Sequence, residues 1–381
     1  MTLALAFALS ACGGSDSSSS GGETAASTEG GEGTSAPAKN EESSAEIGEP
    51  EGNLEVVPEG TEQLCGEEPT KVALVDGFGG NSWRKIVRAE LEDELSVCDN
   101  VEVSYAQADG EVQKYNSEIN SYTAQGYNII LTYDDFGEET LSALRTAFQS
   151  GVVVVPYIAE VGGTAGTDFT AQIEKDVPTA GTELAEWMNK QLNGKGNVLM
   201  LGGSAGNPNS QAWIEAEMAA SAPGINWLQE TPVTTNWDPA MYQRVTTGLI
   251  SKYPELEGVF SDYGAGYASG VRAYIAAGKE HPPLATSSSS NELFCLWQEQ
   301  KKNWPNFQMI SIDGDVRVVR WAARRALAEL NEIPLSDPTT LKMFKDVDTV
   351  AGKDPECDKN LPPDADLSSA LSKEQLEELF Q

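Results

Sequence analysis

From Lys71 onward, short apolar runs rich in Val, Ile and Leu alternate with longer segments whose apolar residues return at helical spacing. That alternation leaves few folds open. Two parallel strands can be joined only by a crossover of a dozen or more residues, and the helix that supplies it also covers a face of the sheet. "KVALVD" leads into a helix expected from Ser82 to Leu95, "VEVSYAQ" into "EVQKYNSEINSYTAQG", and "YNIILTYD" into "EETLSALRTAFQSG"; "VVVVPYIAE" closes a first set. After the helical "DVPTAGTELAEWMNKQLNG" a second set begins, with strands "NVLMLGG", "NWLQETPV", "GVFSDYG" and "PLATSSS" separated by "SQAWIEAEMAASA", "PAMYQRVTTGLISKY" and "AGYASGVRAYIAAG". The short strand "FQMISID" and the helix "VRVVRWAARRALAELNE" then let the chain cross back. The expected fold class is α/β: two lobes in series, each built on a parallel sheet.

Open parallel sheets take ligands outside the carboxyl ends of their strands, so the residues that follow each strand form a functional list. The first lobe offers Phe78, Asn81, Trp83 and Arg84, then Asp134 and Asp135, then Tyr157 and Glu160. The second offers Asn207, Asn209 and Gln211, then Asn236, Trp237 and Asp238, then Asp262 and Tyr263, then Ser288, Ser289 and Asn291. Aromatic plates mixed with amide, carboxylate and hydroxyl groups suit a sugar, whose C–H faces stack on rings while its hydroxyls need planar polar partners. Trp83, at the mouth of a strand-to-helix turn, is expected to lie over one face of such a ring, with Trp237 or Tyr263 across from it.

Composition excludes several classes. A formal charge of −34 and a pI near 4.2 oppose nucleic-acid binding, which needs clustered Lys and Arg against phosphates. No apolar run approaches the roughly 20 residues that span a bilayer. Four of the five cysteines, Cys65, Cys98, Cys295 and Cys357, lie in or beside the folded part, an even number that fits disulfides in an oxidising compartment. The local pairing is 65–98 with 295–357; two other connectivities stay open. A four-cysteine zinc site would need a close Cys pair, and the single histidine, His281, reads as a loop residue, so neither metal nor cofactor is expected.

The fifth cysteine belongs to the beginning of the chain. "TLALAFALSACGG" resembles the lipobox of bacterial lipoproteins, which implies cleavage before Cys12 and a diacylglycerol on its thiol, although no Lys or Arg precedes the apolar run. The Gly, Ser, Thr and Glu-rich stretch that follows has no apolar periodicity and reads as a flexible tether. The expected organisation is a signal peptide over 1–11, a lipid-anchored linker over 12–65, a first lobe over 66–172 plus 313–335, a second over 173–312 plus 336–365, and a C-terminal tail over 366–381.

Taken in order, "GNSWRKIVRAELE", "ADGEVQKYNSEINSYTAQGYNIILTY", "GKGNVLMLGGSAGNPNSQAW", "NWDPAMYQRVTTGLISKYPELEGVFSDY" and "ASGVRAYIAAGK" resemble the periplasmic sugar-binding proteins of ABC transporters, in particular the ribose- and galactose-binding group. The likeness runs from about Lys71 to Ile333. It implies two Rossmann-like lobes joined by a hinge, the type 1 fold of periplasmic binding proteins, and a monomeric receptor that closes on its ligand and docks on a permease. Carried over position by position, it puts Asn81, Trp83 and Arg84 in the first-lobe site and Trp237 at a second-lobe stacking position. Tyr263, after Asp262, stands where the family usually has a ligand-binding Asn. The family's Asp-Arg pair after the fourth strand is replaced by "YIAEVGG", leaving Glu160; Gln211 stands where many members have Arg; and Ser289 and Asn291 substitute for the Asp of an "FDG" loop. Asp134 completes the expected site. The implied location is outside the cell membrane, held by the lipid on Cys12.

Two other readings use the same residues. A receptor of this fold can pass its ligand to a sensor kinase instead of a permease. A glycoside-processing enzyme would use the pairs Asp134 and Asp135 or Asp313 and Asp315 as acid and base, yet the chain lacks a nucleophile elbow, a Walker lysine and metal-ligand spacing. "GFGGN" lacks the glycine spacing of a nucleotide loop.

Overall fold

The computed structural model describes residues 52–381. The expected signal peptide, Cys12 and the linker as far as residue 51 lie outside the described residues. Strand β1 is Gly52–Asn53, and β2 (Thr70–Asp76), β3 (Val101–Gln107), β4 (Ile129–Tyr133), β5 (Val153–Ile158) and β6 (Ile173–Lys175) follow in the first lobe. The second lobe contains β7 (Lys195–Gly202), β8 (Gly224–Trp227), β9 (Val233–Thr234), β10 (Leu256–Ser261), β11 (Leu284–Thr286) and β12 (Met309–Asp313). The chain returns to the first lobe for β13 (Thr340–Lys342) and ends its strands in the second with β14 (Phe344–Asp348).

Two sheets result, ordered β1-β13-β6-β5-β4-β2-β3 and β14-β12-β11-β10-β7-β8, with β9 also paired to β7. Every neighbouring pair is parallel except β12 with β14. Strand order reverses at β2, which has β3 on one side and β4 on the other, and again at β7, flanked by β8 and β10. Those are the switch points where loops diverge and leave a crevice.

Helices cover both faces of each sheet, and the period of two in the strands sorts the side chains. Val72 and Leu74 of β2 face one core while Ala73 and Val75 face another. Helix α1 (Ser82–Leu95) and α9 (Val318–Leu330) pack on the first face, α2 (Val112–Ala124) and α3 (Leu141–Gln149) on the second. In the second lobe α4 (Val177–Gln191) and α5 (Pro208–Ala220) cover one face; α6 (Pro239–Lys252), α7 (Gly264–Ala277) and α8 (Asn291–Gln300) cover the other. Local chemistry sets the helix starts. Asp176, Asn207 and Asp238 each accept a backbone N–H with the side chain, and each precedes a helix with proline in its first two positions, where the missing N–H costs nothing.

The chain crosses between lobes three times: from β6 to α4, from β12 to α9, and from β13 to β14. Several expected boundaries shift accordingly. Leu54 is fully buried, β1 extends the first sheet, and a helical turn at Thr61–Gln63 packs beside α1, so residues 52–65 are part of the lobe and not linker. Segments 173–175 and 340–342, expected in the second lobe, are strands of the first sheet. The C-terminal tail is packed and ends in α10 (Lys373–Leu379), capped by Ser372 and Gln375. The cysteines join as Cys65 to Cys98 and Cys295 to Cys357. His281 lies in a loop, as expected, but is fully buried: its Nδ1–H donates to the Pro282 carbonyl, its Nε2 accepts from Tyr267, and burial lowers its pKa to about 3, keeping it neutral.

Candidate functional site

The carboxyl ends of β2, β4, β7 and β10 converge on one cavity between the lobes, with an empty volume of about 320 Å³ including the part open to solvent. Of the residues expected there, Asn81, Trp83, Arg84, Trp237, Asp262 and Tyr263 line it. The two indoles therefore share a crevice, one from each lobe.

Trp83 is buried because its indole is held on both sides. Its ring meets Tyr133 edge to face with centroids 5.3 Å apart, and its Nε1 donates to Asp315 Oδ1 at 3.1 Å. Asp315 opens the second crossing and accepts two more bonds, from Lys175 Nζ of the first crossing at 2.9 Å and from Ser288 Oγ of the second lobe at 2.8 Å. One carboxylate thus ties the first lobe, the second lobe and two crossings to the same tryptophan. Burial raises its pKa, but the Lys175 charge and the three donors outweigh it and hold the carboxyl below its usual range.

Arg84, part of the cavity wall, sits in a buried triad. Nη1 donates to Asp76 Oδ1 at 3.0 Å and Nη2 to Asp135 Oδ2 at 2.9 Å, while the guanidinium lies 3.9 Å from the Tyr133 ring centroid. Burial works against the guanidinium charge, yet two carboxylates more than compensate and its pKa rises. At the carboxylates burial wins over the single arginine: Asp76 is raised and Asp135 goes up to about 7.

Trp237 is placed by an unusual backbone. Asn236 and Trp237 have φ of 54° and 52°, in the left-handed region that side chains rarely adopt. The strain is held by Nε1 donating to Asp262 Oδ1 at 3.1 Å and by the indole lying directly on Gly203, where an added Cβ would stand 2.5 Å from the ring. Ser210 donates to the other oxygen of Asp262. Burial raises Asp262 to about 6, opposed by those two donors.

The lobes touch across the opening. Ser82 Oγ and Tyr263 OH are 2.9 Å apart, Phe78 meets Trp237 edge to face, and Asn207 Nδ2 donates to Asp135 Oδ1 at 3.4 Å. Three buried polar atoms near this site have no protein partner: Asn209 Oδ1, Asp76 Oδ2 and Arg84 Nε. Buried polar groups cost free energy unless they are hydrogen-bonded, so a guest with hydroxyls has atoms to meet, those of Asn209 and Arg84 first because both residues line the cavity. Among the described residues no group of three or more His, Cys, Asp and Glu side chains is arranged to hold a metal ion.

Five expected residues lie elsewhere. Asp134 turns away into its own loop, accepting from Phe136 N and Gly137 N and from Thr140. Glu160 is exposed. Gln211 points along α5 to Glu215 at 2.7 Å. Ser289 is buried against Ser311 and Asp313, and the Asn291 amide holds the carbonyls of Asp358, Leu361 and Pro362. Sequence reasoning chose Asp134 over Asp135; strand parity through Tyr133 decides that the second of the pair faces Arg84. Lys175 was missed as a site residue, and Asp315 was named only as half of a candidate acid–base pair, because they lie on a three-residue strand and a crossing turn, both too short to carry a periodic signal.

Residues 72–324 match the family model of the periplasmic binding protein domain. The xylitol-binding protein of Mycolicibacterium smegmatis is 25% identical over 204 residues, 50% of this chain and 54% of that protein, so the chain spans about half the length of the curated relative it matches. Many solved structures share the fold. An ABC transporter periplasmic solute-binding protein from Actinobacillus succinogenes 130z with bound D-allose has a TM-score of 0.63 at 19% identity, over 74% of this chain and 99% of its own. The myo-inositol-binding protein of Caulobacter, bound to myo-inositol, has a TM-score of 0.63 at 17% identity, over 76% and 95%. With most of both lobes inside the matched span and both switch points opening on one cavity, this chain belongs to the periplasmic binding protein family.

Proposed function

We propose that the protein captures a small uncharged sugar or polyol between its lobes outside the cell membrane and hands it to an ABC-type permease, tethered through a lipid on Cys12. The observation that carries this reading is the pair of tryptophans on opposite lobes lining one cavity, each with its indole N–H already bonded to a carboxylate. Arg84 and Lys175 are paired with Asp76, Asp135 and Asp315, and Asp262 adds a further carboxylate, so no cation is left over for an anionic ligand. The xylitol, D-allose and myo-inositol named for the relatives support the same chemical class.

Closure follows from differential affinity. Ligand contacts to both lobes exist together only when the cleft is shut, so binding shifts the population toward the closed form. A micromolar dissociation constant, about −8 kcal/mol, lies within reach of two stacked rings and several hydrogen bonds to buried groups. The decisive experiment is a thermal-shift screen against pentoses, hexoses and polyols, with matched sugar acids as controls, followed by calorimetry of Trp83→Ala and Trp237→Ala with the best hit. Each variant should melt cooperatively and bind at least tenfold more weakly; wild-type affinity in both removes the site. Loss of labelled palmitate from Cys12→Ala tests the anchor, and uptake of the identified ligand by cells lacking the protein tests delivery.

A further inference from the structure

The chain does not stop after its third crossing. Beyond β14 it runs back over the hinge and is fastened to both lobes. On the second lobe the Cys295–Cys357 disulfide joins it to α8, and the Asn291 amide holds three of its carbonyls. Backbone bonds from Asn291 N to Ala365 O at 2.7 Å and from Glu292 N to Pro363 O at 2.8 Å complete that anchor. At the second crossing Gly314 N donates to Ser368 Oγ, and Arg317 reaches the carbonyls of Ser368 and Ser369. On the first lobe Ala370 N donates to Glu90 Oε1 at 2.6 Å, Gln375 Nε2 to Asp93 Oδ1 at 2.7 Å, and α10 packs on α1 with Leu371 and Leu376 buried.

The spacing of the anchors matters. Between Ala365, the last residue bonded to the second lobe, and Ala370, the first bonded to α1, the chain spans at most about 18 Å even when fully extended. It cannot follow a wide rotation by paying out slack. Three crossings made of a few residues each leave a hinge free to bend, whereas a fourth connection, covalent at one end and held by buried leucines at the other, restrains it. This segment also lies wholly beyond residue 324, where the match to the family model ends.

We propose that residues 357–381 form a hinge strap that limits the angle between the lobes, so that wide opening of the empty protein requires α10 to leave α1. The proposal does not depend on the identity of the ligand. It is tested on the full ligand-free chain by single-molecule energy transfer between dyes attached through azido amino acids at exposed Gln113 on α2 and Arg244 on α6, leaving both disulfides intact. Wild type should give one narrow distance distribution. Leu371→Ser with Leu376→Ser should broaden it and shift its mean by more than the wild-type width. A chain ending at Ser369 should do the same, and decides the matter if the double variant fails to melt cooperatively. Unchanged distributions in the folded variant, or a wild-type distribution already as broad as the variant's, overturns the proposal.

Discussion

Replacing Arg84 by Met removes the only cation from a site that holds two buried carboxylates, Asp76 and Asp135, at 3.0 and 2.9 Å. Breaking a buried pair in this way costs about 3–5 kcal/mol, because the abandoned charge must stay unpaired or take a proton. What remains around Asp135 is the Phe78 N–H at 3.1 Å and the Asn207 amide; around Asp76 Oδ1 it is the Tyr157 hydroxyl at 3.5 Å. Those donors do not replace a guanidinium. Both carboxyls should therefore hold protons in the folded variant and release them on unfolding. A folded pKa above the unfolded one makes stability greatest at low pH and lost as pH rises through the folded value, with a slope of about 1.4 kcal/mol per pH unit for each extra proton held. Relative to wild type, in which Asp135 already titrates near 7, the variant carries roughly one extra proton, so its deficit should shrink by about 2–3 kcal/mol between pH 7.5 and 5.5. Urea unfolding followed by far-ultraviolet circular dichroism at the two pH values measures this. Adding Asp76→Asn and Asp135→Asn to the variant should recover most of the loss at pH 7.5. A deficit below about 1 kcal/mol, or one that is flat with pH, refutes the triad as a structural unit.

Other outcomes follow from the same geometry. Asp366 of the strap is buried and raised to about 7, chiefly by burial and further by the charges of Asp315 and Asp346, despite bonds from Ser368. Its folded pKa lies above its unfolded one, so it contributes stability below about pH 4 that is lost by pH 7; Asp366→Asn should raise Tm at pH 8 and flatten the fall between pH 5.5 and 8 seen by calorimetry. Gly203→Ala places a methyl against the Trp237 ring and should weaken ligand binding at least tenfold in a titration, with little loss of helix signal. Removing the Cys65–Cys98 disulfide with paired Ala substitutions, which opens a loop with a sequence separation of 33, should cost about 4 kcal/mol in denaturant unfolding.

How far residues alone lead can be judged from particular elements. Runs such as "KVALVD" and "NVLMLGG" are long enough, and buried enough on both faces, to announce parallel strands, and Asx-Pro pairs announce the helices that follow. Because ligand loops in such sheets leave the strand ends, Asn81, Trp83, Arg84, Trp237, Asp262 and Tyr263 were reachable without coordinates. Local pattern and connectivity determined that much, since both are properties of neighbouring residues. The remainder depends on residues far apart in sequence. Asp315 matters because Trp83, Lys175 and Ser288 arrive at it from three different elements, and Asn291 does not reach the cavity because the returning C-terminal chain claims its amide. Whether strands of two or three residues join a sheet, and where the last 25 residues pack, are decided by contacts between residues far apart in the chain. Such contacts leave no period in the sequence, and so only the assembled structure reveals them.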